Sequence, residues 1–124
     1  MPLARWTFVK VFVRDLEAMI GFYEAAFEFK VEVRVDGDEF EEVLLRQADE
    51  ASLFGLLQWK DDRLQGQRPA VGIIGLVTDD IDAAVARALE CGASLIHGPL
   101  QVPGSKVAFL TDIEGNEIEF VQFG

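Results

Sequence analysis

The chain has 124 residues, half of them hydrophobic and 27% charged, with 22 acidic against 11 basic side chains and a formal net charge of −11. This is enough for one compact globular domain and too little for two independent ones; the composition also excludes a disordered chain. The acidic balance argues against nucleic acid, which is met by clustered Lys and Arg, and no apolar run reaches a membrane span, so a cytoplasmic protein with neither partner is expected.

Residues 6–13, WTFVKVFV, alternate with period two, which predicts a strand with Thr7, Val9, Val11 and Val13 on one face and Trp6, Phe8, Lys10 and Phe12 on the other. Asp15 is a good helix N-cap, because its carboxylate can accept from the free N–H groups of the first turn. The helix should run to about Phe27, burying Leu16, Met19, Ile20 and Tyr23 at spacings of three and four. Residues 29–35 alternate again and lead to Asp36-Gly37-Asp38, a hairpin signal. Strands are then expected near 40–47 and 51–58. The polar segment 61–69 contains Gly66 and Pro69 and has no apolar period, so it reads as a linker.

The order then repeats, with a strand at 71–78, a helix at 80–91, and strands at 94–97, 106–111 and 117–123. Gly92 stands where a left-handed residue would end the second helix; its counterpart is Glu28. Cys91, the lone cysteine, rules out an internal disulfide, and its position predicts a packed core residue. The two helix starts, Asp15 and Asp80, lie 65 residues apart, while the last strands of the halves align at an offset of 64 (Gly55 to Glu119). In this register Phe8 falls on Ile73, Gly55 on Glu119, Leu57 on Val121, Gln58 on Gln122 and Trp59 on Phe123. Glu119 therefore has no acidic twin.

A βαβββ unit has one sheet face covered by its helix and the other bare. The predicted fold is α+β: one domain, residues 1–124, of two tandem βαβββ modules (1–60 and 70–124) forming a curved mixed sheet cup with the helices on the outer face. The cup face would carry Trp6, Phe8, Lys10 and Phe12 from the first strand and Glu117, Glu119, Val121 and Phe123 from the last, with Ile118 and Phe120 turned toward a helix.

A duplicated βαβββ unit whose first strand runs into D-L-E and whose last strand follows D-x-x-G-N-x-I-E resembles the vicinal oxygen chelate superfamily. FVRDLEAMIGFYEAAF and TDIEGNEIEFVQF carry the resemblance, with support from TDDIDAAVARALECGA. The superfamily includes glyoxalases, extradiol dioxygenases, fosfomycin-modifying enzymes and bleomycin-binding resistance proteins. In its metal-dependent members the resemblance implies ligands at the positions held here by Phe8, Gly55, Ile73 and Glu119. Only Glu119 can bind a metal, so no metal and no other cofactor is expected.

Three functions follow as expectations. The first is metal-independent binding of a small organic molecule, cationic or aromatic, as in antibiotic sequestration of the bleomycin-resistance type. Its lining would be Trp6, Phe8, Lys10, Phe12, Gly55, Leu57, Trp59, Ile73, Glu117, Glu119 and Phe123, with rings for stacking or cation contact, carboxylates for countercharge and Lys10 pairing with Glu119. The second is a metal-free lyase or isomerase with Glu119 as general base, alone or with His97, a residue type suited to proton transfer if it faces the cup. The third is a structural or regulatory dimer whose cup is filled by Trp6, Phe8 and Trp59. In each case a homodimer is expected, because open sheet edges and apolar faces invite a second copy.

Overall fold

The computed structural model describes residue 3, residues 8–62 and residues 73–124. Trp6, and most of the predicted linker, lie outside the described residues. The chain divides into two compact units, split between Pro69 and Ala70, and each carries one βαβββ module.

In the first unit, β1 (Phe8–Phe12) leads into α1 (Leu16–Phe27), followed by β2 (Phe29–Asp36), β3 (Phe40–Gln47) and β4 (Leu53–Trp59). These strands form a mixed sheet in the order β1-β4-β3-β2, with β1 parallel to β4 and the other neighbours antiparallel. In the second unit, β5 (Ile74–Val77), α2 (Ile81–Glu90), β6 (Ser94–Val102), β7 (Ser105–Thr111) and β8 (Glu117–Phe123) build a second mixed sheet in the equivalent order β5-β8-β7-β6. Neither helix is long and apolar enough to cross a membrane.

The helices begin where the carboxylates placed them. Asp15 Oδ1 accepts from the Ala18 N–H at 3.1 Å, and Asp80 Oδ1 accepts from the Ala83 N–H at 3.1 Å. A second cap comes from the last strand of each sheet: Leu16 N donates to Gln58 Oε1 at 2.8 Å, and Ile81 N to Gln122 Oε1 at 2.8 Å. Both bonds tie a helix N-terminus to its own sheet, so the paired glutamines fix the angle at which helix and sheet meet. The offsets of 65 for the helices and 64 for the last strands thus reappear as identical hydrogen bonds. Replacing Asp15 or Asp80 by alanine should each lower the unfolding free energy by about 1 kcal/mol, read from the midpoint of urea denaturation at unchanged slope.

The buried stripe of α1 is Leu16, Met19, Ile20 and Tyr23, as the spacing predicts, with Phe22 and Ala26 added. Tyr23 is the hub of this core and meets Phe54 of β4 edge-on at 4.8 Å between ring centroids. Tyr23 also contacts Phe29 at the start of β2, at 6.0 Å. In the second unit Ile81, Val85 and Ala88 of α2 are buried, as are Ala108, Leu110, Ile118 and Phe120 of its sheet. The two helices end differently. Glu28 caps α1 in the left-handed region at φ 60°, where its N–H donates to Glu24 O at 3.1 Å, whereas α2 leaves that conformation to Gly92, at φ 109°.

Three expectations change. The strand predicted for 94–97 continues to Val102. Pro99 does not end it because β6 is the outer strand and pairs with β7 alone, so the missing N–H can lie on the side with no ladder to complete. Cys91 is half-buried rather than packed in the core, because it is the C-cap residue of α2 and not part of its buried stripe. Val9, expected on the buried side, keeps 44% exposure. It lies on the outer strand β1, while α1 rests on β2, β3 and β4.

Candidate functional site

In each sheet, residues that face one another across neighbouring strands point to the same side, so the register defines the face turned away from the helix. In the first unit the pairs Phe8↔Leu53, Lys10↔Gly55 and Phe12↔Leu57 join Phe40↔Trp59, Glu42↔Leu57 and Leu44↔Gly55. This face therefore brings together Phe8, Lys10, Phe12, Gly55, Leu57 and Trp59, which sequence reasoning assigned to it. It adds Phe40, Glu42 and Leu44, which sequence reasoning did not. The alternation of FEEVLLRQ could have revealed these three, because it sets an acid between two apolar residues on one side of β3.

Lys10, for which the sequence offers Glu119, takes a partner from β3. Its ammonium forms an ion pair with Glu42 Oε1 inside its own sheet and lies 5.1 Å from the centre of the Phe8 ring. The contact is an ion pair rather than an aligned hydrogen bond. Glu42 is buried, while the Lys10 side chain keeps 34% exposure. To reach β3 from β1, the lysine stem must cross β4, and it crosses at Gly55. A Cβ placed on Gly55 would stand 2.6 Å from Lys10 Cγ and 3.2 Å from Leu44 Cδ2. The absent side chain at position 55 is thus what lets the cation reach its partner. Beside it, Phe12 stacks on Trp59 with ring centroids 5.9 Å apart and planes at 21°, and Phe40 meets Trp59 edge-on at 6.2 Å.

The equivalent face of the second unit follows from Gly75↔Glu119 and Val77↔Val121, Phe109↔Glu119 and Thr111↔Glu117, and His97↔Phe109. Glu117, Glu119 and Phe123 share this face, as expected. Ile73, one residue before β5, is 52% exposed. His97, Phe109 and Glu119 lie abreast on three adjacent strands, so the histidine does face the same side as the acid. Their backbones are separated by two strand spacings, about 10 Å. Glu119 is half-buried, and among the described residues its carboxylate has no hydrogen-bond or ion-pair partner. Among the described residues, a Cβ on the neighbouring Gly75 would meet nothing within 4 Å.

The two sheets thus use the same register in opposite ways. A large cation stands against a glycine in one (Lys10↔Gly55), and a glycine against an acid in the other (Gly75↔Glu119). The first unit's acid has moved one strand over, to Glu42, whose counterpart in the second unit is Val107, paired with Val121. Among the described residues, no group of three or more His, Cys, Asp or Glu side chains is placed to hold a metal ion. A groove of about 590 Å³ lies elsewhere, beside the end of α1, and is bordered by Glu24, Glu28, Lys30, Glu32 and Arg46.

The profile of the Glyoxalase/Bleomycin resistance protein/Dioxygenase superfamily matches residues 5–120. The chain belongs to this superfamily. Among solved members, TnmS3, an antibiotic binding protein from Streptomyces sp. CB03234, is 25% identical and superposes with a TM-score of 0.80 over 100% of this chain and 99% of its own. A glyoxalase/bleomycin resistance protein from the same Streptomyces is also 25% identical, with a TM-score of 0.70 over 94% and 98% of the two chains. A superfamily enzyme from Burkholderia phytofirmans PsJN, at 22% identity, a TM-score of 0.77 and coverage of 98% and 100%, shares the fold. A comparison with curated protein sequences finds no match. Superfamily membership assigns the duplicated βαβββ architecture to this chain; the residues on the two faces must supply the function.

Proposed function

We propose that this member of the superfamily binds a small organic molecule without a metal ion, as a sequestering protein of the antibiotic-binding kind, and works as a homodimer. The observation that carries the reading is the half-buried carboxylate of Glu119, which has no partner among the described residues, beside a Gly75 with no described atom within 4 Å of an added Cβ. A carboxylate taken partly out of water is unfavourable without a counterpart, and a ligand's cationic nitrogen would supply one. The likeness to an antibiotic binding protein over the full chain supports the same reading.

Donor chemistry supports metal independence. The superfamily's ligand positions hold a phenyl ring at Phe8 and no side chain at Gly55 in one sheet, and a sec-butyl group at Ile73 in the other. The Lys10 ammonium beside Gly55 would also repel a cation. Within the single chain Phe8, Ile73 and Phe123 keep 45%, 52% and 70% exposure, so these side chains do not fill the faces by themselves.

Titration with a planar aromatic drug bearing an aliphatic amine, such as daunorubicin, and with bleomycin, should give saturable binding in isothermal titration calorimetry. Glu119→Gln should weaken binding at least tenfold, about 1.4 kcal/mol, consistent with loss of a charge-assisted contact. Gly75→Ala should weaken it similarly while leaving stability unchanged or raised by up to about 1 kcal/mol. No response to either drug, or equal binding by Glu119→Gln, would sink the proposal. One tightly held metal ion per purified chain would defeat metal independence, and a monomer in sedimentation equilibrium would defeat the dimer.

The row His97–Phe109–Glu119 favours a second reading, a metal-free lyase or isomerase in which Glu119 abstracts a proton and His97 shuttles it. Under that reading Glu119→Gln abolishes turnover of an enolisable carbonyl substrate with little change in its binding. Drug binding lowered by the substitution, with no turnover in the wild type, excludes it.

A further inference from the structure

Lys10 is a further charged group placed to meet a ligand on these faces, and three features of the fold hold it there. Gly55 leaves the path for its stem, buried Glu42 anchors its ammonium, and the Phe8 ring lies 5.1 Å from that ammonium. An ammonium carries three donors. One side is turned to Glu42 and one to Phe8, and 34% of the side chain remains open to solvent, which leaves a donor for a third partner. Because Glu42 already balances the charge, a neutral acceptor can use that donor as well as an anion can.

The neighbouring surface suits a flat ring. Phe12 lies two residues along β1 from Lys10, about 7 Å away, and stacks on Trp59. An aromatic system of two or three rings spans that distance. From this juxtaposition we infer that the helix-free face of the first sheet recognises an aromatic ligand bearing a hydrogen-bond-accepting oxygen. Lys10 donates to the oxygen, and the Phe12–Trp59 pair carries the ring. The inference rests on the small-molecule binding proposed above and adds a second recognition element, on a different sheet from Glu119.

The test follows the Trp59 indole N–H resonance in ¹⁵N-tryptophan-labelled protein, assigned with Trp59→Phe, during titration with three probes sharing one ring system. 2-Naphthoate offers an anionic oxygen, 2-naphthamide a neutral one, and (2-naphthyl)methylammonium none. Both oxygen-bearing probes should shift the resonance with dissociation constants on the order of 1 mM, as expected for such small molecules, and the ammonium probe should not. A tighter response to naphthoate assigns an anionic oxygen, and equal responses a neutral one; each supports the role of Lys10 provided that Lys10→Met weakens binding at least tenfold while Lys10→Arg retains it. Lys10→Met leaves Glu42 unpaired, so the double variant Lys10→Met/Glu42→Leu, with an apolar pair in place of the ionic one, must show the same loss. Oxygen-bearing probes that bind these variants as they bind the wild type, or an ammonium probe that shifts Trp59 equally, would overturn the inference. If that happens while the amine-bearing drug still binds in a Glu119-dependent way, the proposed function stands without the role of Lys10. Failure of every probe and drug removes both.

Discussion

Replacing Gly55 by valine should lower the unfolding free energy by about 3 kcal/mol. The new Cβ would stand 2.6 Å from Lys10 Cγ, in the middle of the lysine stem rather than at its mobile end, and 3.2 Å from Leu44 Cδ2. Lys10 must swing away, and Glu42 is then left buried without its counter-ion. Overpacking alone costs about 1–3 kcal/mol, and breaking a fully buried pair about 3–5 kcal/mol. That second figure is discounted here because Lys10 is already 34% exposed and water takes up part of the loss. Valine's preference for strands returns up to about 1 kcal/mol. In a Glu42→Leu background no carboxylate remains to be stranded, and the same substitution should cost only about 1 kcal/mol. Urea denaturation of the four proteins gives the coupling directly. Equal costs in both backgrounds would show that Gly55 does not serve the Lys10–Glu42 pair. Glycine at this position would then need another cause.

The contrast with Gly75 shows how one scaffold carries two unlike surfaces. The backbone hydrogen bonds that set the modules are the same twice: Val13 N donates to Leu57 O at 2.9 Å, and Thr78 N to Val121 O at 2.9 Å. These bonds, with the aspartate and glutamine caps, involve positions where a change disturbs the joint between helix and sheet. The outward side chains carry no such constraint. One sheet can hold a cation over a glycine, and the other can leave its glycine bare beside an acid, without altering a strand.

This separation also governs what the amino-acid sequence reveals. Helix starts, the buried stripe of α1 and the span of β8 are legible because they depend on local chemistry and period. The offset between halves is legible because the caps repeat. The partner of Lys10 is not, because it depends on a diagonal across three strands. Charge alone offered Glu119, but the register places Glu42 one strand beyond Gly55, and the missing side chain at position 55 makes that route available. His97 illustrates a related limit. Register shifts flank it on both sides in β6, so counting alternate residues along the strand cannot assign its face. Its pairing with Phe109 does.

The other large effect is expected at Asp112, which touches neither proposed ligand group. This side chain is 3% exposed and organises the turn into β8. Its Oδ1 accepts from the N–H groups of Glu114 and Asn116, each at 2.9 Å, and its Oδ2 from Asn116 Nδ2 at 2.8 Å. Backbone bonds close the same turn, from Asp112 N to Asn116 O at 2.9 Å and from Gly115 N to Asp112 O at 3.0 Å, with Gly115 at φ 90°. Asp112→Ala strands the Asn116 amide and two backbone donors; at about 1–3 kcal/mol for each buried group, and less than additively, the expected loss is about 4 kcal/mol. Asp112→Asn keeps one acceptor and should fall between alanine and the wild type. The consequence reaches Glu119 through the strand, because a slip of one residue would turn the whole of β8 over and send the acid toward α2. Hydrogen exchange measured well below the unfolding transition should therefore show the amides of 117–123 losing protection in Asp112→Ala before those of α1 and β3. Uniform loss across both units would mean that the turn contributes only global stability. Selective loss in β8, together with weakened binding of the amine-bearing drug, would identify Asp112 as the residue that holds Glu119 on the open face.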